Sequence, residues 1–303
     1  MFTKENATVG FIGLGNMGSG MTKNLQKNGF KLVVNDVRKE AAETLIANGA
    51  VWANSPKEVA EQSDVVITML PTPKHVDIVS MGDNGILSGL KEGGYWVDMS
   101  TSVPDVTARA REVSKGKINI VDAPVSGMSV GANNGTLQIF VGGEAEQFKN
   151  LKNVFEGMGD PERILHVGIA GAGYAVKLMI NQLWFSHLVA TAEVLAIGVK
   201  AGVDLEVLRQ SLIKSPANSN FLENDVLSVL KNSDYDEGFA IALACKDLGL
   251  SVDLARSVGV PVELSSLVEQ IYRRAKSQYG DKAGEMTPMK LYEDLIGQTL
   301  RIN

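Results

Sequence analysis

Cysteine and histidine are scarce in this sequence, which removes the usual ligands of several kinds of site. The 303 residues contain one cysteine, Cys245, and three scattered histidines, His75, His166 and His187. A single cysteine excludes an internal disulfide and indicates a reducing compartment. With so few ligands of this type we expect no zinc site, and no metal at all in the candidate site.

An excess of positive charge is also missing. Lysine and arginine number 29 against 35 aspartate and glutamate residues, so the formal net charge is −6 at pH 7. Proteins whose main partner is nucleic acid or an anionic membrane surface usually carry the opposite balance. We therefore expect neither a nucleic acid nor a membrane as partner.

The N-terminal residues contain no apolar run before the first predicted strand, so no signal peptide is expected. One long apolar segment follows Gly173, but it is interrupted by the polar residues Asn181, Gln182, Ser186, His187, Thr191 and Glu193. This polarity argues against a membrane span. The sequence thus favours a soluble cytoplasmic protein.

Length and patterning indicate two domains. The chain is 45% hydrophobic and 21% charged, an ordinary globular composition, and it exceeds the usual size of one domain. We predict a Rossmann-type doubly wound α/β domain over residues 1–167, a hinge within 168–173, and an all-α domain over 168–303 that starts with a long helix at about 173–201. Further predicted helices span Leu205–Lys214, Phe221–Leu230, Ala240–Ser257, Val262–Gln278 and Met289–Leu300.

A glycine-rich turn follows the first apolar run, Thr8–Ile12, and precedes a helical stretch. The turn consists of Gly13, Leu14, Gly15, Asn16, Met17 and Gly18. In a G-x-G-x-x-G turn the first glycine permits the tight bend, the second admits a pyrophosphate, and the third allows helix and strand to pack closely. The helix N-terminus adds N–H donors for the phosphates. The alternative is a plain turn, but the strand–turn–helix context favours a dinucleotide site.

Asp36 bears on which dinucleotide is bound. It ends the second predicted strand, Lys31–Asn35, 18 residues after Gly18, close to the spacing at which an acid binds the ribose hydroxyls of NAD. A carboxylate would repel the 2′-phosphate of NADP. We therefore predict NAD, while Arg38 leaves NADP open as the less favoured cofactor.

Two further apolar runs, Val65–Pro71 and Tyr95–Thr101, read as parallel strands of the same sheet. Because ligands of such sheets lie beyond the carboxyl ends of the strands, Leu70, Pro71 and Thr101 are predicted near the cofactor. The alternative for Ser100 and Thr101 is capping of the next helix.

Small residues around Pro124, from Asp122 to Ser129, predict a rigid loop with exposed N–H groups that suits an anion, or otherwise a plain turn. The pattern alone favours the plain turn. Asn133-Asn134-Gly135 predicts a turn before the strand Leu137–Gly142.

Two polar positions stand out in the apolar helix after Gly173. Lys177 and Asn181 are four residues apart and share a face of the helix. Burial lowers the pKa of a lysine toward the range of a proton donor, whereas a lysine that reaches solvent is only a surface group. Lys246 and Asp247 likewise interrupt an apolar face and are either a buried structural pair or part of a site. We expect the helical domain to close over the cofactor and to hold a substrate.

Four motifs, in order along essentially the whole chain, resemble the β-hydroxyacid dehydrogenase family. They are Gly10–Gly18, Asp122–Gly127, the segment Gly171-x-Gly173-x-x-x-Lys177-x-x-x-Asn181, and Lys246–Leu248. The resemblance implies that Lys177 is the general acid and base and that Asn181 orients it with the substrate.

The same resemblance implies the remaining roles. Ser126 and Gly127 would bind the substrate carboxylate, and Thr101 would lie between cofactor and substrate. Phe239 and Asp247 resemble pocket residues, and Lys246 a cofactor contact.

One departure concerns Met128, where many relatives have a second glycine. Its side chain would narrow the pocket and make it more apolar, so we expect Met128 to be a substrate-binding residue.

The expected activity is NAD-dependent oxidation of a short 3-hydroxy acid. The alternatives are reduction of a short semialdehyde and non-catalytic NAD binding. The long apolar helix predicts a homo-oligomer, either dimer or tetramer.

Overall fold

The structure, a computed structural model, describes residues 1–236 and 238–302. Backbone contacts divide the chain into two compact units, Met1–Lys177 and Leu178–Asn303. This division falls inside one long helix rather than at the predicted hinge, and the predicted domain boundary at 167/168 stays a prediction.

The first unit contains one sheet of nine strands in the order β3-β2-β1-β4-β5-β6-β8-β7, with β9 paired to β8. The strands are β1 Thr8–Ile12, β2 Lys31–Asn35, β3 Val51–Trp52, β4 Val65–Thr68, β5 Tyr95–Asp98, β6 Asn119–Asp122, β7 Val125–Ser126, β8 Leu137–Gly142 and β9 Gly159–Gly168. Strands β1 to β6 are parallel. Strand β8 is antiparallel to β6 and β7, and β9 is parallel to β8.

Helices cover both faces of this sheet, which explains why its central strands are apolar throughout. The helices are α1 Gly18–Lys27, α2 Glu43–Ala47, α3 Pro56–Glu61, α4 Pro73–Met81, α5 Ile86–Gly89, α6 Pro104–Ser114, α7 Met128–Asn134 and α8 Ala145–Glu156, with a short 3₁₀ helix at Lys39–Ala42. Along β4, Val65 and Ile67 belong to one apolar cluster, and Val66 belongs to another. The predicted doubly wound fold is confirmed.

The prediction of a loop from Asp122 to Ser129 is wrong in part, and the prediction of a turn at Asn133-Asn134-Gly135 is wrong. Helix α7 occupies Met128–Asn134, and Gly135 follows it in the left-handed conformation, with φ of 69°. The Asn-Gly pair therefore ends a helix instead of forming a turn between strands, which is the other common use of a left-handed glycine.

The second unit is helical apart from a single bridge between Ala240 and Gly284 in the part of the chain that the structure describes. Its helices are α9 Ala172–Lys200, which begins in the first unit, α10 Leu205–Ile213, α11 Leu227–Asn232, α12 Ile241–Ser257, α13 Glu263–Tyr279 and α14 Pro288–Ile296, with a π-helical turn at Phe221–Asp225. The single helix predicted at 221–230 is thus two segments. The last helix stops before Leu300 because Gly297 is left-handed, with φ of 67°.

Helix α9 is not buried on all sides within this chain, although its composition is largely apolar. Its residues Leu188, Ala192 and Leu195 lie in the core of the second unit, whereas 59% of Leu183 and 63% of Ile197 are exposed. Among the described residues it is the one helix long and apolar enough to cross a membrane by length and composition. Its polar residues therefore do not exclude a span, although a core helix passes the same criterion.

Candidate active site

The glycine turn after β1 has the shape that a pyrophosphate requires. A side chain at Gly13 would meet the Met69 carbonyl oxygen at 2.3 Å, and one at Gly18 would meet the Gly13 carbonyl oxygen at 1.9 Å. At Gly15 a side chain would meet nothing within 4 Å, and both Gly15 and Asn16 are exposed. The turn is therefore tightly packed at its outer glycines and open at its middle one, which is the arrangement that admits a phosphate to the backbone.

Asp36 is held against this turn. Its Oδ2 accepts a hydrogen bond from the Leu14 backbone N–H at 2.7 Å, and its Oδ1 accepts one from the Arg38 backbone N–H at 2.8 Å. The Arg38 guanidinium is 69% exposed and lies 3.9 Å from the same carboxylate. Each carboxylate oxygen keeps a lone pair for a ribose hydroxyl, so these residues fit a bound NAD.

The ends of four strands align beside the glycine turn. Ile12 pairs with Thr68, Thr68 with Asp98, and Asp98 with Asp122. The residues predicted near the cofactor follow these strands directly: Leu70 and Thr101 are half-buried, and Pro71 is exposed. The structure thus brings the predicted cofactor residues of the first unit to one edge of the sheet.

Ser100 does not cap the following helix, which was one of its two interpretations. Helix α6 begins after Val103, without a side-chain cap. The Ser100 hydroxyl instead accepts a hydrogen bond from the Leu70 backbone N–H at 2.8 Å and donates one to Asp98 at 2.7 Å. It therefore fixes the turn after β4.

The start of helix α9 is bonded to Asp122 at the end of β6. The carboxylate accepts the backbone N–H of Gly171 at 2.5 Å and that of Tyr174 at 2.9 Å. A side chain at Gly173 would lie 2.3 Å from the Phe140 carbonyl oxygen, so only glycine permits this approach. Burial raises the pKa of Asp122 to about 6, against the opposing effect of the two N–H donors. Lys177 lies three residues beyond Tyr174 and is half-buried.

The predicted carboxylate site lies on the short segment between β7 and α7. Ser126 is half-buried at the end of β7, where it pairs with Gln138, and Gly127 follows with φ of 129°. Met128 is left-handed, with φ of 55°, although it is not a glycine, and its side chain is 51% exposed. A bulky residue in this conformation is uncommon and strained.

In the second unit, Asn181, Lys246 and Asp247 form one connected group. The Asn181 side-chain amide donates to Asp247 Oδ2 at 2.8 Å, and the Lys246 ammonium lies 2.8 Å from Asp247 Oδ1. Asp247 is only 1% exposed. Phe239 packs against the core of this unit. The Lys246–Asp247 pair is therefore an ion pair whose acid also fixes the orientation of Asn181.

Two family matches together span nearly the whole chain. Residues 8–168 match the NAD binding domain of 6-phosphogluconate dehydrogenase, and residues 171–292 match the NAD-binding domain of NADP-dependent 3-hydroxyisobutyrate dehydrogenase.

The chain belongs to the β-hydroxyacid dehydrogenase family.

Individual relatives agree with this assignment. The probable mitochondrial 3-hydroxyisobutyrate dehydrogenase of Dictyostelium discoideum is 40% identical over 282 residues, which cover 90% of this chain and 86% of that protein. The NAD-dependent L-serine dehydrogenase of Pseudomonas aeruginosa is 35% identical over 297 residues, covering 96% and 99%. The structure of Mycobacterium tuberculosis 3-hydroxyisobutyrate dehydrogenase with L-serine has a TM-score of 0.86 at 29% identity, covering 94% of this chain and 98% of that one.

As a β-hydroxyacid dehydrogenase, the chain is an NAD-binding oxidoreductase, and the sequence prediction of that class is confirmed. Two buried acids of this dehydrogenase, Asp98 and Asp122, have no role predicted from the sequence. Both are the last residues of apolar strands, next to turns that were predicted to contact ligands. An acid at the end of a buried strand is costly unless it is bonded, and this signal could have identified them.

Proposed function

We propose that this dehydrogenase oxidises a short 3-hydroxy acid with NAD and that Lys177 moves the proton. The observation that carries this proposal is the anchoring of the start of α9 to the Asp122 carboxylate. It holds the first turns of a long helix in one place, and Lys177 lies on the second of them. A proton donor or acceptor must be held within hydrogen-bond reach of the reacting oxygen, so a rigid support of this kind favours catalysis.

NAD held by the glycine turn and Asp36 would supply the hydride acceptor for oxidation of the hydroxyl-bearing carbon and the hydride donor for the reverse reaction. In oxidation, the neutral Lys177 amine takes the hydroxyl proton while the carbon–oxygen double bond forms. In reduction, the ammonium form gives that proton back to the carbonyl oxygen. Asn181, one turn further along the same helix, has its amide oriented by Asp247 and in this proposal donates to or accepts from the substrate oxygen.

Substrate binding is proposed from the family resemblance together with local geometry. The Ser126 hydroxyl and the Gly127 backbone N–H would bind the carboxylate, and Thr101 would lie beside the reacting centre. Phe239 and Asp247 would contribute to the pocket, and Lys246 would contact the cofactor. Relatives named for L-serine and for 3-hydroxyisobutyrate support a substrate with a carboxylate and a hydroxyl on the third carbon.

Reduction of a short semialdehyde is the same chemistry in the opposite direction and is the second candidate. The deciding experiment measures NADH and NADPH absorbance with both oxidised and reduced cofactors. L-serine, 3-hydroxyisobutyrate and 3-hydroxypropionate would be tested for oxidation, and short semialdehydes for reduction. If the protein binds NAD but turns over none of these compounds, the proposal is contradicted and a non-catalytic NAD-binding protein is favoured.

We further propose a homo-oligomer, dimer or tetramer, in the cytoplasm. At 100° per residue, the exposed Met179, Leu183, Val194 and Ile197 fall on one stripe of α9. An apolar stripe of this length on a soluble protein indicates contact with a partner surface, and a second copy of the chain would cover it. Sedimentation equilibrium of the wild type and of Leu183→Glu would test this, since a monomeric wild type contradicts it.

A further inference from the structure

Asp98, at the end of β5, is the acceptor of three side-chain hydroxyls. It is 1% exposed. Its Oδ1 accepts from Thr68 at 2.5 Å and from Ser100 at 2.7 Å, and its Oδ2 accepts from the Tyr174 hydroxyl at 2.6 Å. Burial raises the pKa of Asp98, and these hydrogen bonds oppose that effect.

Two of these hydroxyls also accept a hydrogen bond from an N–H group, which can only donate. The Trp96 indole donates to the Thr68 hydroxyl at 3.0 Å, and the Leu70 backbone N–H donates to the Ser100 hydroxyl. Each hydroxyl thus accepts with one lone pair and has its own proton available for Asp98 Oδ1. The other carboxylate oxygen, Asp98 Oδ2, accepts the third hydroxyl, that of Tyr174.

This group connects three pieces of the first unit. Through Ser100 it holds the turn after β4 at Leu70, through its own backbone it belongs to β5, and through Tyr174 it holds the first turn of α9. The glycine turn also packs on this region, because Gly13 approaches the Met69 carbonyl too closely for any side chain. The predicted cofactor turns and the helix that carries Lys177 are thus tied to one buried carboxylate.

Tyr174 attaches the helix at a point away from its axis. Asp122 bonds the backbone N–H of Gly171 and Tyr174, close to the axis. The Tyr174 hydroxyl reaches Asp98 from the end of a long, fully buried side chain. Two separated attachment points fix the rotation of the first turns as well as their position, which one point near the axis does not.

We propose that Tyr174 is a positioning residue, whose hydroxyl bond to Asp98 sets the rotation of α9 and thereby the placement of the Lys177 amine relative to the cofactor turns. This inference rests on the proposed role of Lys177. Lys177 and Tyr174 are three residues apart and neighbours on the helix surface, so a rotation of the first turn displaces both.

The test compares Tyr174→Phe with a matched control, Tyr272→Phe. Tyr272 is also fully buried, but its hydroxyl has no hydrogen-bond partner among the described residues. For Tyr174→Phe we expect faster amide hydrogen exchange over residues 171–177. We also expect kcat to fall by at least about 10-fold, since small misplacements of reacting groups have effects of this size or larger. The affinity for NAD should change by less than about twofold, because the cofactor turns keep their own bonds to Asp98 through Ser100.

The solvent deuterium isotope effect on kcat separates positioning from simple destabilisation. A misplaced lysine slows proton transfer, so the isotope effect should increase in Tyr174→Phe and stay at the wild-type value in Tyr272→Phe. A smaller fraction of folded enzyme would lower the rate without changing the isotope effect. Equal exchange, kcat and isotope effect in Tyr174→Phe and wild type would overturn the proposal, as would equal losses in the two Phe variants.

A second variant, Ser100→Ala, tests the other side of the same group and serves if Tyr174→Phe does not fold. It removes the bond to the Leu70 N–H but leaves the Tyr174 bond in place. We expect faster exchange at the amides of residues 69 and 70, weaker NAD binding and an unchanged exchange rate at 171–177. Faster exchange at both segments would show that the two connections are not separate, and would overturn the proposal. If Lys177→Ala kept full turnover, the proposed function would fail instead, while the exchange measurements would still report on the Tyr174 bond.

Discussion

The side-chain amide of Asn181 on α9 donates a hydrogen bond to the carboxylate of Asp247 on α12, over 2.8 Å. A further link between the two helices lies next to it, where the Ser251 hydroxyl reaches the Leu178 carbonyl oxygen at 3.2 Å. Asp247 is buried and its other oxygen is paired with Lys246. The orientation of the Asn181 amide is therefore determined by an acid 66 residues away in the chain.

Replacing that acid should disturb Asn181 without removing it. For Asp247→Asn we expect kcat/KM for the hydroxy acid to fall about 10- to 100-fold, because the amide loses its charged partner and its fixed orientation. Steady-state kinetics would show the loss. Asp253→Asn is the control, since Asp253 lies on the same helix but is 65% exposed and paired with Arg256. Equal activity of the two variants would contradict a role for the Asn181–Asp247 bond.

Lys177→Ala should abolish most of the proton transfer. General acid–base catalysis typically contributes about 10²–10⁴ in rate, so kcat should fall by at least 100-fold. Binding of NAD, measured by fluorescence titration, should stay close to the wild-type value because the glycine turn and Asp36 are untouched. Lys200→Ala, at the exposed end of the same helix, should behave as wild type. A Lys177→Ala enzyme with normal turnover would remove this residue from the mechanism.

Asp36 should determine the choice between NAD and NADP. Its carboxylate is held beside Leu14, where it would repel a 2′-phosphate. For Asp36→Ser we expect kcat/KM with NAD to fall and kcat/KM with NADP to rise. The ratio of the two should change by on the order of 100-fold, because removing a charge repulsion is worth a few kcal/mol. The exposed Arg38 would then be available to the phosphate. An unchanged ratio would show that cofactor choice lies elsewhere.

Much of this fold could be predicted because its signals are local. Each apolar run, like the glycine turn, is defined by residues within a few positions of one another, and strands Lys31–Asn35 and Leu137–Gly142 lie where they were predicted. Helix α7 was missed because Met128 and Gly135 both adopt left-handed conformations. Of the two residue types, only glycine indicates this conformation in a sequence.

The candidate site was predictable in part for a related reason. Lys177 and Asn181 were found because they interrupt an apolar pattern. Their supports, Asp122 and Asp247, bond to them or to their helix across 49 to 66 residues of sequence. Such distant pairings leave no periodic signal in a single sequence. Asp247 was noticed because it interrupts an apolar face, but neither its bond to Asn181 nor the role of Asp122 was predicted.

Met128 should influence which substrates are accepted. Its exposed side chain follows Ser126 and Gly127 directly, in a strained conformation that glycine would adopt freely. For Met128→Gly we expect the ratio of kcat/KM between 3-hydroxyisobutyrate and L-serine to fall about 10-fold, because an apolar contact worth about 1–3 kcal/mol is lost for the methyl-bearing substrate. Val130→Gly, an exposed neighbour on α7, is the control. An unchanged ratio would place Met128 outside the substrate pocket.

The buried carboxyl of Asp122 should make the stability of the protein depend on pH. Burial raises its pKa to about 6 in the folded protein, from 3.8 in the unfolded chain. Between these values the folded state keeps a proton that the unfolded state has lost, so this group destabilises the protein as the pH rises from about 4 to 6. The full shift of roughly two pKa units corresponds to about 3 kcal/mol. Asp122→Asn has no such titration.

Urea unfolding of both proteins at several pH values would measure this effect. The free energy of unfolding of the wild type, minus that of Asp122→Asn, should fall by about 2 kcal/mol between pH 4 and pH 7, because part of the shift lies below pH 4. All other titrating groups are common to the two proteins and, apart from Asp98, whose charge contributes to the shift of Asp122, they cancel in the difference. In the variant, the Gly171 and Tyr174 backbone N–H groups bond to a neutral side-chain amide and those bonds are weaker. The resulting loss of stability is the same at every pH and does not change the slope of the difference. A difference that stays level across this range would mean that Asp122 is ionised throughout, with its burial fully offset by the two N–H donors.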